Sequence, residues 1–192
     1  IEEQFYTGLK KRPPDKELKE LMENSIQMAN TEVFTRSGLG TRVMGTTVVC
    51  AVIRGGLLHV AHVGDSRAYL LQQDQLNLIT HDHSMVQELL DQGVISIREA
   101  LHHPDKNVIT RALGVEEHLQ VEYSVRPVAP GSLRLLCTGG LANMVDNTQI
   151  AAILRDTDFY EAVDVLVGEA LLAGGTDNIT VALMQTEEKD NG

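Results

Sequence analysis

The sequence predicts an α+β fold built on mostly antiparallel strands, and three observations lead there. The stretch from Gly45 to Leu71, GTTVVCAVIRGGLLHVAHVGDSRAYLL, reads as three consecutive strands joined by short turns. Amphipathic helical spacing precedes it and returns as a pair of helices near the C-terminus. The order is therefore helix, strand meander, helical excursion, strands, helix pair, strand. Meandering neighbours pair antiparallel, and helices at both ends of the order form layers outside the sheets.

Residues 1–12 are polar and mixed, with Phe5 and Tyr6 as packing candidates, and read as the end of a helix that Pro13-Pro14 interrupt. Asp15 is the expected N-cap of the next helix. Leu18, Leu21, Met22, Ala29 and Val33, with Ile26 beside the stripe, predict that helix over 15–36, and Gly38 and Gly40 end it. Residues 48–53 and 57–63 form the first two strands around a Gly55-Gly56 hairpin turn. Both are almost continuously apolar, which predicts cover on both faces. The third strand begins at Ala68, after the polar knot Gly64-Asp65-Ser66-Arg67. A Gln73-Asp74 turn leads to a short fourth strand holding Leu76 and Leu78.

Met85, Val86, Leu89 and Leu90 give a one-faced helix that stops at Gly93. Ser96-x-x-Glu99 is a capping box opening a second short helix, which His103-Pro104 ends. The segment 84–110 reads as a helical flap over one end of the sheet. Strands are expected over 108–113, 119–125 and, after the Pro130-Gly131 turn, 133–137. Asp146 caps a helix carrying Ile150, Ile153 and Leu154, and a second helix over 158–172 turns Ala162, Val163, Leu166, Val167 and Ala170 inward. Gly174-Gly175-Thr176-Asp177 is a tight loop before a last strand over 179–184, and 186–192 read as a disordered tail. No repeat, low-complexity segment or linker divides 1–192, so one domain is expected.

Composition narrows the function classes. Hydrophobic residues are 43% and charged residues 22%, ordinary for a globular domain with a full core. Aromatics are 4% and Trp is absent, so aliphatic side chains fill that core. A net charge of −11 argues against nucleic acid or an anionic membrane as partner. No apolar run reaches the roughly 18 residues of a membrane span, and no signal peptide is visible. Cys50 and Cys137 each sit inside an apolar strand and read as reduced, buried thiols of a cytoplasmic protein. The first residue is Ile1, which reads as a domain taken from a longer chain.

Six blocks carry a family resemblance: MGTTVV (44–49), HVGDSRAYLL (62–71), DHS (82–84), NVITRALG (107–114), LLCTGGLANMV (135–145) and GGTDNITV (174–181). In this order and spacing the chain resembles the metal-dependent serine/threonine protein phosphatases of the 2C type. The resemblance implies a four-layer αββα sandwich, here lacking the first N-terminal strands. It also implies hydrolysis of phosphoserine and phosphothreonine assisted by two Mg2+ or Mn2+ ions, hard cations that want oxygen ligands. Asp177 stands where the family places a metal-binding aspartate, and as a plain loop residue it would cap local amides. Asp82 stands where many bacterial members hold a third metal, and equally suits an N-cap or Asx turn for the helix at Ser84. Ser84, Gly93 and Asn107 belong to the flap that would cover substrate.

Two departures shift the functional expectation. The family's Ser-Asp-Gly-Leu strand end reads Thr138-Gly139-Gly140-Leu141 here, so Gly139 is the position of a lost metal ligand. The family's N-terminal phosphate-gripping arginine, Asn-Glu-Asp-like motif and Asp-Gly-x-Gly-Gly-His motif do not occur in this sequence. One carboxylate holds Mg2+ poorly, because dehydration is not compensated. The expectation is a pseudophosphatase that binds metal weakly and acts as a regulatory or protein-binding module, with no catalytic residue named. The alternative is an active phosphatase whose N-terminal metal-binding segment lies outside this chain. A phosphoprotein or regulatory protein is the expected partner, and a homo-oligomer could cover exposed sheet edges. Asp65, Ser66 and Arg67 read as a turn network without a nucleophile elbow. His81 and His83 would share a strand face, but spacing suggests no third zinc ligand.

Overall fold

The computed structural model describes residues 2–38 and 44–186. Its elements are α1 (Glu2–Lys10), α2 (Asp15–Gly38), β1 (Val48–Arg54), β2 (Leu57–Val63), β3 (Arg67–Gln72), β4 (Gln75–Leu78), α3 (Met85–Asp91), α4 (Ile97–Ala100), β5 (Glu122–Pro127), β6 (Leu133–Cys137), α5 (Gly139–Ala142), α6 (Asn147–Asp156), α7 (Phe159–Leu172) and β7 (Val181–Gln185). The fold is α+β. One sheet has the order β1-β2-β5 and the other β4-β3-β6-β7, and the latter is antiparallel throughout. The chain falls into two compact units. The first gathers the chain up to Val48 with Ala61–Gly64 and Asp82–Ser124; the second holds Val49–Val60, Asp65–His81 and the chain from Val125 on.

In the first unit, α2 buries Leu18 and Met22 of the stripe its periodicity announces and Ile26 beside it, while Leu21, Ala29 and Val33 are half-buried. It also buries Asn30 completely, which no apolar pattern could signal. The Asn30 side chain accepts from Gly114 N–H at 2.7 Å and donates to the Glu116 and Glu117 carbonyls. One turn earlier, Gln27 donates to the Glu117 carbonyl and accepts from Leu119 N–H. These bonds satisfy the backbone of a segment without regular structure. The strand expected over 108–113 does not form. Among the described residues it makes isolated bridges, Ser84 to Ile109 and Thr46 to Leu113, and the side chains of α2 bond the residues that follow it, Gly114 to Leu119. Asp15 lies in the first turn of α2 and is not its cap. Gly40 lies outside the described residues.

In the second unit, the β4-β3-β6-β7 sheet carries a core on each face. Tyr69, Leu71, Leu135 and Cys137 pack with Leu141, Ile150, Leu154, Ala162, Leu166 and Ala170 of the helices that follow. Ala68, Leu70 and Leu136, one residue out of step, pack with Leu58, Val60 and Ile79 instead. The alternation is the period-two pleat, and it explains why β3 and β6 are apolar at nearly every position. β2 is buried along almost its whole length, whereas β1 is half-exposed at every residue. The difference follows from position: β1 is an edge strand and β2 is central.

Candidate functional site

At the end of β3 and β6 where Arg67 pairs with Cys137, three segments meet inside the second unit. The first is the turn holding Asp65. The second is Thr138-Gly139-Gly140, which opens α5, a four-residue helix absent from the sequence reading. The third is the loop of Asp177 and Asn178. Thr138 ties the second to the third: its hydroxyl donates to the Asn178 carbonyl at 3.1 Å and accepts from Thr180 N–H at 3.0 Å. The Thr138 amide donates to the Thr180 carbonyl. Thr138 therefore spends its side chain on the loop and not on capping α5.

Gly140 is needed for this approach. A β-carbon there would overlap the Asn178 carbonyl oxygen and stand 2.9 Å from its carbon. Gly139 faces the first segment, where a β-carbon would stand 2.9 Å from Asp65 Oδ2 and 3.2 Å from Asn143 Nδ2. The Asp65 carboxylate thus reaches into space that a side chain at 139 would claim. Asp177 is exposed, and its Oδ1 accepts from the next amide, Asn178 N–H, at 2.7 Å.

Two of these segments carry a carboxylate, Asp65 and Asp177, hard ligands of the kind Mg2+ and Mn2+ prefer. Position 139 supplies none. A pair of such ions needs more carboxylate oxygen than these residues offer, so the residues described do not by themselves fit a two-ion centre. By sequence Asp65 reads as part of a turn network; its approach to residue 139, more than seventy positions away, brings it to this site.

The remaining candidates lie in the first unit. Asp82 and Ser84 are buried, at 8% and 3% exposure. Ser84 is the N-cap of α3 and accepts from Gln87 N–H at 3.3 Å, so Asp82 itself is not the cap. Gly93 closes the α3 turn at φ +67°, and Asn107 is exposed. Ser96 and Glu99 form the expected reciprocal capping box: Ser96 N–H donates to Glu99, and Glu99 N–H donates to Ser96. The Ser96 bonds hold the Glu99 carboxyl below its ordinary range.

His83 is the most connected ionisable group here. Its Nδ1 accepts from Gly64 N–H at 3.0 Å, and its backbone N–H donates to the Gly64 carbonyl at 3.1 Å. With Nδ1 an acceptor, the neutral ring carries its proton on Nε2, which donates to Glu122 Oε2 at 3.2 Å. Its ring stacks on His62 at 4.8 Å between centroids. Burial holds its pKa below the ordinary value, against the opposing pull of Glu122. Gly64 at φ +101° admits no side chain, since Thr47 packs where a β-carbon would stand. His81, two residues away, is exposed and belongs to the other unit, so the companion of His83 is His62. No spacing rule could pair them, because two strands, β3 and β4, and their turns separate them.

Comparison with known proteins shows the family and the fold. The family described as Protein phosphatase 2C matches residues 2–89. The serine/threonine phosphatase stp of Listeria monocytogenes is 40% identical over 179 residues, covering 92% of this chain and 71% of the relative. The solved serine/threonine phosphatase of S. agalactiae superposes with a TM-score of 0.84 at 34% identity, over 90% of this chain and 72% of that one. The catalytic domain of the phosphatase PstP, solved in complex with two manganese ions, gives 0.82 at 28% identity over 97% and 80%. The antiparallel α+β architecture is that of these phosphatases, and the chain belongs to the protein phosphatase 2C family.

Proposed function

We propose that the chain is the greater part of a Mg2+- or Mn2+-dependent phosphatase acting on phosphoserine and phosphothreonine in protein substrates. The observation that carries this reading is the 40% identity to a named serine/threonine phosphatase across 92% of the chain. In this reading Asp177 supplies a carboxylate to the ions, and the N-terminal ligand motifs of the family belong to the full-length protein. Bound ions would supply charge neutralisation on the phosphoryl oxygens and an activated water. The chain's own contribution is positional: Thr138 and Gly140 hold the Asp177 loop against the start of α5.

A second reading rests on Gly139. With no side chain at that position and the Asp65 carboxylate leaning toward it, the chain would bind its ions weakly and serve as a regulatory, protein-binding pseudophosphatase. Hydrolysis of p-nitrophenyl phosphate and a phosphothreonine peptide by the full-length gene product, with and without Mn2+, separates the two. Mn2+-dependent turnover supports the first reading. No turnover in the parent, together with turnover in a Gly139→Asp variant, supports the second. No turnover in either, with the fold intact by circular dichroism, refutes the phosphatase assignment for both forms.

A further inference from the structure

Among the described residues, one trio of histidine, cysteine or acidic side chains brings its ligand atoms within 4.8 Å of one another: His62, His83 and Glu122. Neither phosphatase reading uses it. His62 and His83 are 2% and 5% exposed, and Glu122 is half-buried at the rim. Two imidazoles and one carboxylate form a donor set suited to Zn2+, and one that Mg2+ and Mn2+ do not prefer. A tetrahedral zinc ion with bonds near 2.0–2.1 Å holds its donors roughly 3.3 Å apart. The trio must therefore draw together, and the stacked rings must tilt so that their lone pairs converge.

The resting hydrogen bonds oppose this, and that opposition defines what binding would do. His83 Nε2 carries a proton toward Glu122, while Nδ1 accepts from Gly64 N–H. To ligate through Nε2 as a neutral ring, His83 must lose the Nε2 proton and gain one at Nδ1. The count on the ring is unchanged: an Nε2–H bond breaks, an Nδ1–H bond forms, and a Zn–N bond takes the vacated lone pair. Gly64 N–H then faces an N–H and loses its acceptor. The exposed guanidinium of Arg111, whose Nη1 lies 3.3 Å from Nε2, must swing away from the incoming dication.

We propose that His62, His83 and Glu122 form a regulatory Zn2+ site whose occupation breaks the bond from the Gly64 amide to the His83 ring, leaving the His83 N–H bond to the Gly64 carbonyl in place. This goes beyond the phosphatase readings and does not require either of them.

The test uses the untagged full chain stripped of metal and titrated with ZnCl2 against a chromophoric chelator, alongside amide NMR. One specific site is expected. His62→Gln and Glu122→Gln each remove a direct ligand and should each weaken it by more than the about 10- to 100-fold that loss of an outer-shell partner costs. Arg111→Ala should tighten it by about tenfold, the order expected from removing a positive charge roughly 5 Å from a dication near water. The Gly64 amide should shift and lose exchange protection on saturation, and Co2+ should give the absorption of a tetrahedral site. Zinc binding of equal strength in the His62 and Glu122 variants would overturn the proposal. So would a Gly64 amide unmoved at saturation, an Arg111→Ala variant that binds no tighter, or no binding at all.

Discussion

Replacing Gly140 by alanine tests how the candidate phosphatase site is held. Gly140 has an ordinary helical backbone within α5 and no positive φ, so alanine brings no conformational strain of its own. Its methyl group would overlap the Asn178 carbonyl oxygen and stand 2.9 Å from the carbonyl carbon. Carbon atoms in contact sit about 3.5–4.0 Å apart, so the loop of Asp177 and Asn178 must retreat by roughly 0.5–1 Å. The obstacle is backbone, not the end of a flexible side chain, and the Thr138 hydroxyl anchors that same carbonyl at 3.1 Å. Overpacking of this kind costs about 1–3 kcal/mol. For a chain of this size each kcal/mol lowers the melting midpoint by about 2–4 °C, so a drop of roughly 2–12 °C is expected. If Asp177 serves phosphate hydrolysis, a displacement near 1 Å should cost on the order of 100-fold in kcat/KM of the full-length protein. Calorimetric melting and amide shifts of Asn178 and Thr180 provide the assay. A Gly140→Ala variant that melts with the parent and leaves those shifts unchanged would refute the close-approach argument. Gly139→Ala is the control, because its methyl group meets side-chain ends, the Asp65 carboxylate and the Asn143 amide, rather than backbone, and should cost less.

Three further outcomes are expected. Asn30→Ala removes three hydrogen bonds and leaves the buried Gly114 N–H without its acceptor, so chemical denaturation should show a loss of about 2–4 kcal/mol. Gly168, inside α7, has nothing within 4 Å of a β-carbon; Gly168→Ala should raise stability by roughly 0.5–1 kcal/mol in the same assay. His83 is held neutral between Gly64 N–H and Glu122, beside His62 and Arg111, with its pKa below 6.5 chiefly through burial. Unfolding lets it take up a proton more readily. Its contribution is therefore complete above pH 6.5 and lost as pH falls from there through the lowered folded value. Denaturation midpoints across that window should fall with acid in the parent and fall less in His83→Gln.

The helices and strands that pack by simple periodicity were legible without coordinates. Leu18 and Met22 of the α2 stripe, the β2, β3 and β6 runs, the Ser96–Glu99 box and the Asp146 cap all stand where residue spacing and side-chain chemistry put them. Those signals are local, so the sequence alone determined them. It also carried the family, through six short blocks, and exposed Gly139 as a position without a carboxylate. The apolar run over 108–113 misled: it makes isolated bridges to Ser84 and Thr46 rather than a continuous ladder, and Asn30 and Gln27 of a helix about eighty residues away bond the residues just after it, Gly114 to Leu119.

What only the tertiary structure decided is which distant polar groups share a space. Asp65 against Gly139, Thr138 on the Asn178 carbonyl, and His62 stacked on His83 each join segments that composition and periodicity treat separately. Periodicity records which side of one element is apolar. It holds no information on where a buried amide, carboxylate or imidazole finds its partner, because that partner is set by chain topology and by the requirement that every buried polar group be satisfied.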